Sequence, residues 1–384
     1  MYERPEGIEN CKIWVDGCFD FAHHGHAGAM LQARQLGKEL YAGVHSDEEI
    51  LHNKGPVVMK LDERLAAVNA CKWTTKAIAN APYVTDPKVM DEYDCKYVVH
   101  GDDITTDANG EDCYKIMKDM GRFVVVKRTP NISTTDLVGR MLLMSKSHHY
   151  KSITDESHPL LEPENVEKFT KYASDQTGLK AGSGVYVEIN ESQPLKEIVA
   201  PSQENAETYK KIYYVDGGFD LFHPGHIEIL KLVNAEAKKA GAAVIVGIHD
   251  CATINKHKGL NYPIMNLLER SLCVLQCRYV DGVILGAPFS PTQKFLQKLP
   301  GTVEKVFHGP TPIADIDPYE EIEKVKDLYV EIGPHKYDDM NTEFIVNRVL
   351  NNKKAYEERQ RRKGWKSEVE LKLREEERKQ ASQK

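Results

Sequence analysis

The chain has 384 residues, 41% of them apolar and 28% charged, with 51 Lys and Arg against 58 Asp and Glu for a formal charge of −7. That much apolar surface can offset chain entropy, so disorder as the main state is excluded, and the length fits about two or three domains. No apolar run approaches the roughly 20 residues that a membrane-spanning helix needs, and a net acidic chain is a poor general nucleic-acid binder.

The opening stretch, MYERPEGIENCK, carries charges and no apolar core, so no secretory signal is expected. The cysteines at 11, 18, 71, 95, 113, 251, 273 and 277 form no Cys-x-x-Cys pair and no Cys/His cluster at zinc spacing. They read as reduced thiols of a cytoplasmic protein, with Cys71 and Cys277 on apolar helix faces in the core.

The first element is a short strand, Ile13-Trp-Val15, which ends in Asp16-Gly-Cys-Phe-Asp20 and runs through His23-His-Gly-His26 into a helix to about Leu36. Small residues after the strand let the backbone approach a ligand. The helix start that follows offers free N–H groups and a positive field to a phosphate. His23 and His26 flank a glycine and can both face that phosphate. Zinc binding by His-x-x-His would need a further ligand, and plain capping of the helix is the simplest alternative. A strand at Leu40–Val44, a helix at Leu61–Trp73, a strand at Tyr97–Val99, a helix at about Cys113–Met120, a strand at Phe123–Val126 and a helix at Thr135–Met144 complete the region. Short apolar strands alternating with amphipathic helices predict a parallel sheet covered on both faces, with ligands beyond the carboxyl ends of the strands. Just before the last helix, Arg128 precedes Ser133, Thr134 and Thr135. Ser and Thr cap helices, but an arginine ahead of three successive hydroxyls suits a second anion-binding helix start.

After this region, residues 147–208 shift to Ser, Glu, Pro, Lys and Asn and are expected to be a linker with one short helix near Glu164–Ala173. The chain then repeats itself. Trp14–His26 matches Tyr214–His226, with eight of thirteen residues identical. Gly43-Val-His45 recurs at Gly247-Ile-His249, Lys54-Gly55 at Lys258-Gly259, Glu63-Arg64 at Glu269-Arg270, and His100-Gly101 at His308-Gly309. The recurrence of the histidine pair with its glycine weakens the capping alternative. Expected domains are therefore 1–146, a linker at 147–208, a second copy at 209–352 and a charged tail at 353–384. The tail holds 12 Lys and Arg and 7 Asp and Glu, with only Trp365, Val369, Leu371 and Leu373 as a thin apolar stripe. It reads as a solvated helix or frayed tail; a membrane-surface helix would need a broader apolar face.

Asp16-Gly-x-Phe-Asp-x-x-His-x-Gly-His26, the lysine after the second strand and Arg128-Thr…Ser133-Thr-Thr resemble the cytidylyltransferases of the HxGH nucleotidyltransferase superfamily. Two such domains in one chain resemble the branch of that family that acts on phosphoethanolamine in phospholipid synthesis. The resemblance implies two tandem Rossmann-like α/β domains with parallel sheets, and transfer of CMP from CTP to phosphoethanolamine with Mg2+ on the triphosphate. It implies that His23 and His26 stabilise the phosphates in the transition state, that Lys54 holds the triphosphate, and that Arg128 with Ser133, Thr134 and Thr135 closes over it. Cys18, Phe19, Asp20, Tyr83, His100, Gly101, Asp102 and Asp103 would line the nucleoside pocket. Asn131 departs from the glycine usual in the family. Localisation would be cytoplasmic, at most peripheral at the endoplasmic reticulum. Neither a nucleic-acid partner nor a transmembrane segment is expected, and a homo-oligomer is left open.

The second copy keeps Phe219, Asp220, His223, His226, Lys258, Arg270 and His308, with Gly218 in place of Cys18, and at most a weak nucleotide site is expected there. It loses the other half of the site. Lys336 replaces Arg128, Asn341-Thr-Glu343 replaces Ser133-Thr-Thr135, and His308-Gly-Pro-Thr311 replaces His100-Gly-Asp-Asp103. Catalysis is expected in the first copy. Met144-Ser-Lys-Ser147 is similar to the lysine signature of aminoacyl-tRNA synthetases, but it follows the last helix directly and the acidic chain does not suit tRNA. Two alternatives remain at this stage: phosphocholine as acceptor, and a non-catalytic nucleotide sensor.

Overall fold

A computed structural model describes residues 4–310 and 317–364. Thr311 and the stripe Trp365, Val369, Leu371 and Leu373 lie outside the described residues. The chain forms two units, Met1–Leu142 with Ile345–Lys384, and Leu143–Phe344.

In the first unit, five strands form one sheet: β1 (Lys12–Gly17), β2 (Glu39–His45), β3 (Lys76–Ala81), β4 (Cys95–Gly101) and β5 (Phe123–Val126). Their order is β3-β2-β1-β4-β5, and every pairing is parallel. β1 is buried along its four central residues, the apolar run Ile13-Trp-Val15 that covering helices on both faces require and then Asp16. β3 reads KAIANA, with few β-branched residues; it lies at the sheet edge and buries only Ile78 and Ala81. The sheet order reverses beside β1, where β2 and β4 leave on opposite sides. A crevice opens there at the strand ends.

The second unit repeats the plan and extends it. Its strands are β6 (Gly184–Val187), β7 (Lys196–Val199), β8 (Lys211–Gly217), β9 (Ala243–Ile248), β10 (Gly282–Leu285), β11 (Thr302–His308) and β12 (Tyr329–Glu331). The order β12-β11-β8-β9-β10-β6-β7 contains the five-strand pattern of the first unit, with β6 parallel to β10 and β7 antiparallel at the edge.

This corrects the expected linker. Within 147–208 the chain supplies β6, β7 and the helices Pro163–Tyr172 and Gln203–Thr208. All four residues of β6 are buried, and Phe169 and Tyr172 of the helix are buried too. Four buried residues of a strand cannot be read from composition when polar turns surround them on both sides. The expected helix near Glu164–Ala173 is present as Pro163–Tyr172.

The tail is the second correction. Residues 353–364 are helical and belong to the first unit rather than standing free in solvent. The chain returns to that unit within the helix Thr342–Asn351. Arg348 makes a two-pronged ion pair with Glu63, both contacts at 2.6 Å, and the Tyr356 hydroxyl donates to the Val57 carbonyl at 2.8 Å.

Candidate active site

The loop after β1 is strained in both units. Phe19 has φ +53° and Phe219 φ +49°, with Phe21, Ala22 and Leu221 also at positive φ. Bulky residues rarely adopt this conformation, and its persistence requires surroundings that enforce it. Asp20 does so. Its carboxylate accepts the backbone N–H groups of Val58 at 3.1 Å and Met59 at 2.8 Å. Asp220 likewise accepts those of Ile264 and Met265. Buried Arg64 ties the same region together, donating to the carbonyls of Met59 and Cys18 and to Asp47.

The loop delivers His23 to the start of the helix His24–Leu36, one turn before His26. The two imidazoles stack with centroids 3.8 Å apart and planes 22° apart, and His223 and His226 stack at 3.7 Å. Gly25 donates its N–H to His23 Nδ1 at 3.1 Å, so Nδ1 is the acceptor and the proton sits on Nε2. A Cβ on Gly25 would lie 2.7 Å from the Ile132 side chain, and one on Gly225 would lie 2.7 Å from the Met340 carbonyl oxygen. The glycine of His-x-Gly-His is therefore required by the turn that precedes the last helix. Asn131, in that turn, has φ +63° and fills the left-handed position.

Both histidines are held neutral. Burial pushes His23 well below the usual imidazole range, helped by His26, His24, Arg128 and Lys363. Burial, followed by Lys54 and Arg128, pushes His26 down to about 3. Burial is the larger cause for both rings, and the neighbouring cations add to it.

One cavity of about 340 Å³ opens beside this pair. It brings together His23, His26, Lys54, Arg128, Cys18, Phe19, His100, Gly101, Asp103, Ser133, Thr134 and Thr135 from the sequence analysis. Arg128 is anchored by Asp103 at 2.8 Å, and its N–H donates to Asp102. Thr134 Oγ1 donates to the Asp20 carbonyl, as Thr342 Oγ1 does to that of Asp220, which fixes the correspondence between the two copies.

Three expected lining residues stand elsewhere. Asp20 is spent on the Val58–Met59 loop, Asp102 on the backbone of Arg128, and Tyr83 lies beneath Lys54, whose ammonium is 5.7 Å from the ring centroid. None of the three lines the cavity. Sequence reasoning missed Asp16, Asn53, Thr105, Thr106, Arg359, Arg362 and Lys363, all of which do. Asp16 was visible inside the repeated motif; its carboxylate accepts from Tyr114, Thr85 and Trp14. The three tail cations carried no signal, because a charged helix reads the same whether it faces solvent or an anion site.

In the second unit the histidine pair persists, but Lys336 Nζ bonds to the Tyr337 hydroxyl at 2.8 Å, and exposed Glu343 occupies the first turn of the last helix. The His308 ring lies 5.0 Å from that of Tyr319 with the planes tilted by 50°, and Lys258 lies 5.8 Å from the Tyr262 ring centroid. Gly218 and Phe219 keep their places in the loop after β8. Among the described residues no group of three or more His, Cys, Asp or Glu is placed to hold a metal.

A parallel α/β sheet with paired histidines at one helix start and hydroxyls at another, both aimed into a crevice at the strand ends, defines a nucleotide-handling domain. Residues 14–140 and 214–359 match the cytidylyltransferase-like family, and the chain belongs to it. It is 42% identical over 359 residues to the ethanolamine-phosphate cytidylyltransferase of Dictyostelium discoideum, covering 92% of this chain and 94% of that one. The mouse enzyme of the same name is 40% identical over 92% of this chain and 89% of its own, and that of Saccharomyces cerevisiae 37% over 92% and 97%. Mouse choline-phosphate cytidylyltransferase A is 39% identical, but over only 36% of this chain and 37% of its own.

Proposed function

We propose that the first unit transfers CMP from CTP to phosphoethanolamine, giving CDP-ethanolamine and pyrophosphate for phosphatidylethanolamine synthesis. The observation that carries this reading is the single cavity in which the stacked histidines, Lys54, Arg128 and the Ser133–Thr135 helix start face one another. The choice of acceptor is supported by relatives that match 92% of the chain under that name, where the choline enzyme matches 36%.

In the proposed reaction an oxygen of the phosphomonoester attacks the α-phosphorus of CTP in line. The bond from that phosphorus to the bridging oxygen breaks, and its electron pair leaves with pyrophosphate. The nucleophile is already ionised near neutral pH, so no general base is required. The chain's task is to meet charge building on the phosphates. His23 Nε2–H and the N–H groups of the two helix starts donate hydrogen bonds, while Lys54 and Arg128 supply fixed cations. Magnesium is taken as part of the substrate, held on CTP mostly by phosphate oxygens and water.

The second unit is proposed to be structural or a weak nucleotide binder, because Glu343 puts negative charge where triphosphate would lie. No helix among the described residues is long and apolar enough to cross a membrane. We place the protein's work in the cytoplasm, at most at the surface of the endoplasmic reticulum.

The test is pyrophosphate release from CTP with phosphoethanolamine, phosphocholine or glycerol phosphate as acceptor. Phosphoethanolamine is expected to be the preferred acceptor. His23→Ala is expected to lower kcat by roughly 10²–10³-fold, the usual cost of removing one transition-state donor. His223→Ala is expected to leave kcat within about twofold, against that same scale. Loss of turnover in a folded His223→Ala protein would overturn the assignment to the first unit.

A further inference from the structure

Helix 353–364 is docked through one face. Tyr356 is buried and bonded to Val57; Arg359 Nη1 donates to the Pro56 carbonyl at 2.6 Å and lies 3.2 Å from Asp20 Oδ2. Gly55, at φ +106°, leaves room for this arginine, since a Cβ there would sit 3.2 Å from the Arg359 Cβ. At the other end, Lys363 Nζ donates to Thr135 Oγ1 at 2.9 Å and Gln360 Nε2 reaches the Thr135 carbonyl. Tyr356, Arg359 and Lys363 follow the helical three- and four-residue spacing, so the docked face points Lys363 at the helix start where Ser133–Thr135 lie. Arg361 is on the outer face, 77% exposed and near Glu358.

The result is a concentration of cations around one cavity. Lys54, Arg128, Arg359, Arg362 and Lys363 line it with two carboxylates, Asp16 and Asp103, while from outside the lining Asp20 pairs with Arg359 and Glu358 lies 3.6 Å from Arg362. Both lining carboxylates are already engaged, by Tyr114, Thr85 and Trp14 and by Arg128 respectively. Burial lowers the Lys363 ammonium below its ordinary range and Arg128 lowers it further, while Asp136 opposes them. Cations brought together against their mutual repulsion make a site for a multiply charged anion.

We propose that helix 353–364 completes the first unit's active site, with Arg362 and Lys363 binding substrate phosphate and Arg359 anchoring the helix. The ligand is a phosphate anion, either the polyphosphate of CTP or the phosphomonoester of the acceptor. This inference rests on the transfer reaction proposed above, which it extends by two binding residues.

The experiment uses the full chain carrying Lys363→Ala, Arg362→Ala, Lys363→Arg or, as a control, Arg361→Ala. Calorimetric titration with inorganic tripolyphosphate is read beside steady-state KM for each substrate. Lys363→Ala and Arg362→Ala are each expected to weaken tripolyphosphate binding and raise a substrate KM by roughly tenfold, as loss of one charged hydrogen bond does. Lys363→Arg is expected to keep most of the affinity, and Arg361→Ala to stay within about twofold on the same scale. A raised KM for CTP assigns the polyphosphate; a raised KM for phosphoethanolamine alone assigns the acceptor. Unchanged binding and KM in both alanine variants would overturn the proposal, as would faster turnover, which would make the helix an obstruction. If the wild-type chain released no pyrophosphate, the transfer reading would fall while the titration still decided whether the tail binds phosphate.

Discussion

His23 and His26 stay neutral because burial and neighbouring cations make the protonated form costly. In the unfolded chain each titrates near pH 6.5. Between pH 6.5 and about 3, where His26 titrates in the fold, the unfolded state holds more protons, so stability rises with pH across that window. Above pH 6.5 the histidines contribute nothing to the slope. Urea unfolding of the wild type is expected to lose about 1.4 kcal/mol per pH unit per buried histidine on acidification below 6.5. His26→Gln should flatten that slope, and parallel curves would contradict the account. At this scale the sequence was informative. The repeated Asp-Gly-x-Phe-Asp-x-x-His-x-Gly-His set both histidines and their glycine at one helix start, and the resemblance to the family marked Asn131 as standing where a glycine is usual; the stacking of the two rings was not legible. Asp20 misled for a physical reason: a carboxylate beside a phosphate site and one that pins a strained loop leave the same mark in a motif.

Among the elements, the Arg348–Glu63 pair is the clearest device. Glu63 is 6% exposed and also accepts the N–H of Lys60 at the start of its own helix. Arg348→Ala would leave that carboxylate buried with one partner fewer. The expected cost is about 3 kcal/mol, read as a lower urea midpoint. Arg348→Ala with Glu63→Gln should recover part of it, because the uncompensated charge is then gone. Helices and strands with strong apolar runs were legible in the sequence. β3 and β6 were not: KAIANA has little β-propensity, and β6 is four residues between polar turns.

For the whole molecule, the duplication was legible and its boundaries were not. An internal match locates the two copies, but it says nothing about a chain that leaves a unit and returns to it. The first unit is discontinuous, closed by residues that come some 200 positions after Leu142. A chain ending at Leu142 would lack the partners of Glu63 and Val57 and the cations of 359–363. It is expected to melt well below the intact protein and to release no pyrophosphate. Equal thermal midpoints and turnover would show the returning segment to be dispensable.

The order of synthesis gives this discontinuity a further meaning. At about 5–20 residues per second on the ribosome, the last wall of the cavity emerges roughly 10–60 s after the residues it covers. A nascent first unit spends that interval with the cavity open on one side and Glu63 without its arginine. Every chain that reaches a complete cavity has therefore already made its second copy. Deletion of that copy would have to preserve helix 353–364, which ties the survival of the second unit to the cavity of the first.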